Sequence, residues 1–324
     1  MSVAQQITLN AGELTVRLLT LGATLQDVML EGIDHSLTLG SGDLSAYGRG
    51  MEYFGAIVGP VANRIAGASA SLGGQRIRFD ANERGVTTLH GGRTGTHTKV
   101  WDLLEVGNKH ARMQVNLPDG EGGFPGNRTI TAAFRVDDEG SLRLDLTATT
   151  DADTFINLAN HSYWNLDGSD TIEGHKLSIN AEYYTPVDRT LIPEGHSEEV
   201  AGTPFDFREL RAVGVNPDVL LDHNFCLTGA RGPLRHACRL EGQSGISLEI
   251  ETTEPGLQVY DGSSIQTAPW EGIQAKPYGA YAGLALEPQS WPDAPNRPRF
   301  PRIQLAPGQT YSQTTLWHFN KPGA

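Results

Sequence analysis

Apolar residues recur at every second position through much of the chain. Leu14, Val16 and Leu18 alternate with Thr15 and Arg17, and Met113, Val115 and Leu117 with Gln114 and Asn116. Ile130, Ala132, Phe134 and Val136 share one phase. Leu142, Leu144 and Leu146, and Ile246, Leu248 and Ile250, repeat the pattern. Each run predicts a strand with one face in a core and the other toward solvent or a second layer. Turn signals punctuate the runs at Leu72-Gly73-Gly74-Gln75, Asp137-Asp138-Glu139-Gly140 and Glu241-Gly242-Gln243-Ser244-Gly245. Helical periodicity is nearly missing. Its best candidates are residues 43–47 and residues 205–213, the latter with Asp206 as a cap. Short strands joined by Gly/Pro turns predict a mainly β protein, an antiparallel sandwich or barrel. No repeat, linker or composition shift divides the chain, so residues 1–324 are expected to form a single domain.

Composition narrows the partners. The 324 residues carry a net charge of −13, which leaves no basic patch for nucleic acid or an anionic membrane. The start of the chain shows no basic and apolar leader, and no apolar run is long enough to span a bilayer. Cys226 and Cys238 alone do not make a disulfide framework. The expectation is a cytoplasmic protein with free thiols.

Polar residues interrupt apolar strand ends at six places. In residues 283–293, Leu284 and Leu286 lie on one side of a short strand, Glu287 closes it and Pro288 stops it. A carboxylate held there is desolvated and becomes a stronger base; a buried glutamate that only accepts backbone hydrogen bonds is the alternative. Asn63 and Arg64, between Ala62 and Ile65, offer an amide and a guanidinium fork for hydroxyls or a carboxylate, or a structural ion pair with a buried acid. His90 precedes Gly91 and Gly92, where backbone can approach a ligand closely or simply turn. His161 sits in Asn160-His161-Ser162-Tyr163-Trp164-Asn165-Leu166, whose aromatics suit a sugar face or core packing. Asp222 follows Leu220-Leu221 and can grip vicinal hydroxyls or cap a turn. Gln258 lies inside a strand pattern and binds a ligand only if it faces inward.

The histidines lack metal-ligand spacing and no Cys-x-x-Cys supports them. No glycine-rich loop opens a long helix, and no G-x-S-x-G elbow is present. No metal and no cofactor are expected. What remains is an acid–base set (Glu287, His161, His90 and Asp222) with Arg64, Asn63 and Gln258 as binders, suited to a neutral, hydroxyl-rich ligand.

These stretches resemble the aldose 1-epimerases, also called galactose mutarotases. The matching segments are Val61-Ala62-Asn63-Arg64-Ile65, Leu89-His90-Gly91-Gly92, Asp119-Gly120-Glu121-Gly122-Gly123-Phe124-Pro125-Gly126, the Asn160–Leu166 stretch, Thr203-Pro204-Phe205-Asp206-Phe207-Arg208, Leu221-Asp222-His223-Asn224-Phe225 and Glu287-Pro288-Gln289-Ser290-Trp291-Pro292-Asp293-Ala294-Pro295-Asn296, in family order. The resemblance implies one large β-sandwich, the supersandwich of that family, and interconversion of the α and β anomers of a free aldose such as galactose or glucose. By carry-over Glu287 is the general base, His161 the general acid and His90 its partner, with Asn63, Arg64, Asp222 and Gln258 binding sugar. A base and an acid on opposite sides of the ring would take the C1 hydroxyl proton and protonate the ring oxygen.

The chain departs from the family pattern at Asp261-Gly262-Ser263, at Pro60, at Thr96-His97-Thr98-Lys99 and at Gly122. None touches the acid or the base, and all bear on sugar preference. Three rival readings are a non-catalytic sugar-binding β module, a glycoside hydrolase using Glu287 and Asp222, and a hexose-phosphate epimerase, which would need more Arg or Lys.

Overall fold

The computed structural model describes residues 3–216, 218–219 and 221–322. Leu220, half of the apolar pair before Asp222, lies outside them, as do the two residues at each end of the expected domain. The alternating runs fall in the strands Leu14–Leu19, His110–Leu117, Arg128–Val136, Ser141–Thr150 and Ser247–Thr252. The last four belong to one nine-stranded antiparallel sheet. Its order is Arg211–Ala212, Lys176–Ile179, Arg235–Glu241, Ser247–Thr252, Tyr311–Asn320, Ser141–Thr150, Arg128–Val136, His110–Leu117, Asp102–Val106. The turn signals lie where hairpins close. Gly73 and Gly74, at φ 57 and 79, supply the positive dihedrals of a tight two-residue turn.

The second large sheet is six-stranded and antiparallel. In chain order its strands are β1 (Tyr163–Trp164), β2 (Tyr183–Thr185), β3 (Glu198–Glu199), β4 (Asp222–Cys226), β5 (Gly256–Tyr260) and β6 (Leu284–Gln289), arranged β1-β6-β5-β4-β2-β3. Residues directly opposite on paired strands share a face. Trp164, Leu284, Leu286, Val259, Leu257 and Phe225 form one face and meet Ile130, Phe134, Leu144, Leu248 and Trp317 of the large sheet in one continuous core. The fold is therefore mainly β, with two large antiparallel sheets across one core.

Two expectations need correction, and of the two readings of Trp164 core packing holds. Strand β6 does not end at Glu287: it runs through Pro288 to Gln289, with Pro288 opposite Leu257. Proline is tolerated because β1 pairs only with Leu284 and Ala285, leaving that side of β6 without a ladder partner at Pro288. Residues 205–213 are not helical. Arg211–Ala212 pairs as a strand with Lys176–Leu177, the Phe207 carbonyl accepts from the Ile179 amide, and Asp206 takes a two-point ion pair from Arg208 instead of capping. Trp164 presents no sugar face. It is buried in the core beside Trp317 and Phe319, at centroid distances of 6.1 and 5.7 Å. The other helical candidate is a single 3₁₀ turn, Leu44–Gly48, capped by Asp43.

Leu286 is 1% exposed between the two sheets. Leu286→Ala should lower the unfolding free energy by about 2–5 kcal/mol, read as a lower urea midpoint with an unchanged slope.

Candidate active site

The second face of the six-stranded sheet is polar, and it is buried too. One row across the strands reads Tyr163, Ala285, Tyr260, Asp222; the next reads Glu287, Gln258, Asn224. Rows on one face stand about 7 Å apart along a strand. Glu287, Gln258 and Asn224 are at most 3% exposed. Gln258 therefore faces inward, and its Nε2 donates to Asp222 Oδ1 at 2.6 Å. Asp222 is the first residue of a strand, not a turn cap.

The histidines come from segments laid over this face. Asn160 fixes the approach of His161: its Nδ2 donates to the Gly55 carbonyl at 2.8 Å and its Oδ1 accepts from the Ser162 amide and hydroxyl. The His161 backbone pairs with Gly55 and Ala56 at 2.9 Å each. Its Nε2 then lies 3.6 Å from Glu287 Oε1. The two groups stand side by side, not on opposite sides of a ligand, because both project from elements packed around the same end of β6.

His90 and Asn63 hold each other. The His90 amide donates to the Asn63 carbonyl at 3.0 Å, and the Asn63 amide donates to His90 Nδ1 at 3.1 Å. Both residues take positive φ, 51 and 59. A backbone N–H can only donate, so Nδ1 is the acceptor and the neutral ring carries its proton on Nε2. Gly91 serves the protein's own backbone: a Cβ there would lie 2.0 Å from the Gly59 carbonyl oxygen. The Asn63 side-chain oxygen accepts from the Arg64 amide at 2.8 Å, which leaves its Nδ2 for a ligand.

Arg64 reaches two acids. Its Nε and Nη2 form a two-point pair with Glu83, at 2.9 Å to Oε2 and 2.7 Å to Oε1. Its Nη1 is 3.9 Å from Asp222 Oδ2. Glu83 was not singled out from sequence, and neither was Tyr53. The Tyr53 ring packs on three imidazoles, with centroids 4.7 Å from His90, 4.9 Å from His97 and 5.9 Å from His161. Neither residue carries a sequence signal by itself; each is brought in by a loop from a neighbouring segment. Asp261, one of the family departures, is buried and accepts from the Ser263 amide at 2.9 Å.

Burial sets the protonation. It drives the Glu287 carboxyl well above the usual carboxylate range, with Asp222 adding to the rise and Arg64 opposing it. The same burial lowers His161 to about 4 and His90 well below its ordinary value. Asp222 is raised by burial, and Arg64 pulls it back. The buried atoms without a hydrogen-bond partner among the described residues include Glu287 Oε2, His161 Nδ1, Gln258 Oε1 and Asn224 Oδ1 of this site. Buried polar atoms ordinarily find partners, so these atoms are free to bond a hydroxyl or a water. Among the described residues no three or more His, Cys, Asp or Glu side chains converge to hold a metal ion.

A buried acid and imidazole thus stand together beside unpartnered amide oxygens on one face of the sandwich. The aldose 1-epimerase family profile matches residues 5–318. A galactose mutarotase of Mus musculus is 36% identical, over 98% of this chain and 94% of its own length. An aldose 1-epimerase of Escherichia coli is 33% identical, over 96% and 93%. The crystal structure of an aldose epimerase homologue from C. elegans superposes with a TM-score of 0.92 at 30% identity, covering 99% of this chain and all of that one. The chain belongs to the aldose 1-epimerase family. It is an isomerase of small-molecule sugars, with aldose 1-epimerase activity. Among the described residues no helix is long and apolar enough to cross a membrane.

A raised carboxyl pKa in the folded state means that stability is full below the unfolded value, 4.5, and is lost as pH rises through the folded one. Glu287→Gln removes that loss. Its melting temperature should exceed the wild type's by roughly 2–4 °C at neutral pH, and the gap should close toward pH 4 in thermal scans without ligand.

Proposed function

We propose that this chain interconverts the α and β anomers of a free, neutral aldopyranose, galactose or glucose first, with Glu287 as general base and His161 as general acid. The observation that carries this reading is the 3.6 Å separation of His161 Nε2 and Glu287 Oε1 on the buried polar face. The C1 hydroxyl and the ring oxygen are bonded to one carbon, so an acid and a base side by side address both at once.

The reaction balances without a further reactant. Glu287 takes the proton of the C1 hydroxyl, the C1 carbonyl forms, the bond from C1 to the ring oxygen breaks, and that oxygen takes a proton from His161. The open aldehyde rotates about C1–C2. The former ring oxygen then attacks the other face of C1, returning its proton to His161, while Glu287 returns its own to the C1 oxygen. At the open-chain stage His161 is neutral and Glu287 protonated, which is the pair that burial favours. His90, with Nδ1 occupied, acts through Nε2–H as a hydrogen-bond donor. Arg64 Nη1, Asp222, Gln258 and the Asn63 amide bind hydroxyls.

Glu287→Gln should cut kcat by about 10²-fold or more with little change in KM, followed by polarimetry on freshly dissolved α anomers. His161→Asn should also act on kcat, whereas Arg64→Ala and Asp222→Ala should act partly through KM; an effect of His161→Asn on KM alone would make it a binding residue. The active pair holds one proton between its two members. Activity should therefore fall at the acid side toward about 4, where His161 and Glu287 both become protonated, and at the alkaline side as Glu287 ionises with His161 neutral.

A glycoside has no C1 hydroxyl proton to remove, and a phosphate dianion calls for several donors. In a side-by-side comparison, α-galactose and α-glucose should turn over and methyl galactoside should release no methanol. Faster anomerisation of glucose 6-phosphate than of either free sugar would overturn the neutral-substrate assignment.

A further inference from the structure

Arg64 is the cation that acts on both Glu287 and Asp222. A guanidinium binds a carboxylate or phosphate best through a pair of parallel N–H donors. In Arg64 the pair formed by Nε and Nη2 is closed by Glu83, and Nη1 faces Asp222. The side chains of Arg64, Glu83 and Asp222 are 12, 20 and 14% exposed, so a ligand can reach the cluster. Glu83 is also held in place. Its amide and carbonyl pair with Thr87 at 3.0 and 3.1 Å, and the preceding Asn82 clamps the Leu89 backbone with both ends of its amide at 2.8 and 3.0 Å. The loop is thus tied to the strand that leads into His90, and Glu83 is presented to Arg64 by a fixed backbone. Two acids, Glu83 and Asp222, stand around this guanidinium.

We propose that Glu83 is a specificity-determining residue. By pairing with the Nε/Nη2 edge of Arg64 it takes one of the guanidinium's two forked edges and compensates its charge, while the remaining Nη1/Nη2 edge lies beside Asp222. N–H donors thus remain for sugar hydroxyls, but the unopposed two-point grip that an aldose bearing a carboxylate, a hexuronate, would use is denied. An anionic sugar must then displace Glu83 or lie beside two acids. The inference deepens the aldose 1-epimerase reading of the site and rests on it for the substrate class.

The test compares galacturonate with galactose on the wild type, Glu83→Gln, Glu83→Asp and a charge control, Glu105→Gln, on the outer strand Asp102–Val106 of the large sheet. Titration calorimetry reads the affinity ratio, and polarimetry reads the ratio of kcat/KM. Glu83→Gln should raise the galacturonate-to-galactose affinity ratio by about 10-fold or more, with the kinetic gain in KM. Glu83→Asp keeps the charge beside Arg64 and should raise the ratio less than Glu83→Gln, and Glu105→Gln should not change it. A ratio in Glu83→Gln within about twofold of wild type overturns the proposal, as does an equal rise in Glu105→Gln, which would trace discrimination to net charge. Should Glu83→Gln fail to fold, Glu83→Ala uncaps the same edge and must show the same rise. Absence of galactose turnover by the wild type would remove the epimerase reading instead, while the affinity ratio, a binding quantity, still reports on Glu83.

Discussion

The Glu287 carboxyl is 2% exposed, and its Oε2 has no hydrogen-bond partner among the described residues. Keeping such a group on a sheet face is costly, since burial disfavours its charged form and an unsatisfied acceptor forfeits its water. The surrounding structure is arranged about that cost. Leu284 and Leu286 anchor the opposite face of the strand in the main core, so the register that places Glu287 cannot slip by one residue without exchanging the two faces. The neighbouring strands bring Gln258 and Asn224 to the same row. His161 then closes over the row from a segment pinned to the Gly55 and Ala56 backbone.

Charge follows the same logic. Arg64 opposes the rise of both Glu287 and Asp222, yet it is itself paired with Glu83. The face is left with one paired guanidinium, unpartnered amide oxygens, and a carboxyl raised by burial beside an imidazole lowered by it. Hydroxyl groups, which both donate and accept, complement such a surface without adding charge. The positive φ of Asn63 and of His90 belongs to this arrangement, because the mutual backbone clamp between them fixes which His90 nitrogen is free.

The sequence by itself determined a mainly antiparallel β chain, with sandwich and barrel both open to the alternation and the sandwich implied by the family resemblance. Strands such as Arg128–Val136 and Ser141–Thr150 bury one face, so period-two alternation survives in the residues, and glycine turns mark their ends. It also singled out Asn63, Arg64, His90, His161, Asp222, Gln258 and Glu287, each of which breaks an apolar setting, and these fall around one face. Only the tertiary structure decided how they meet. Strand β6 is buried on both faces, so its pattern could not show that it continues past Pro288 or that Glu287 and Leu286 face opposite ways into two environments. Trp164 was assigned to the core by its pairing with Leu284, not by its type. Glu83 and Tyr53 lie in loops with no period at all. Their partners, Arg64 and the three histidines, come from segments separated along the chain, and long-range packing of that kind leaves no trace in local spacing.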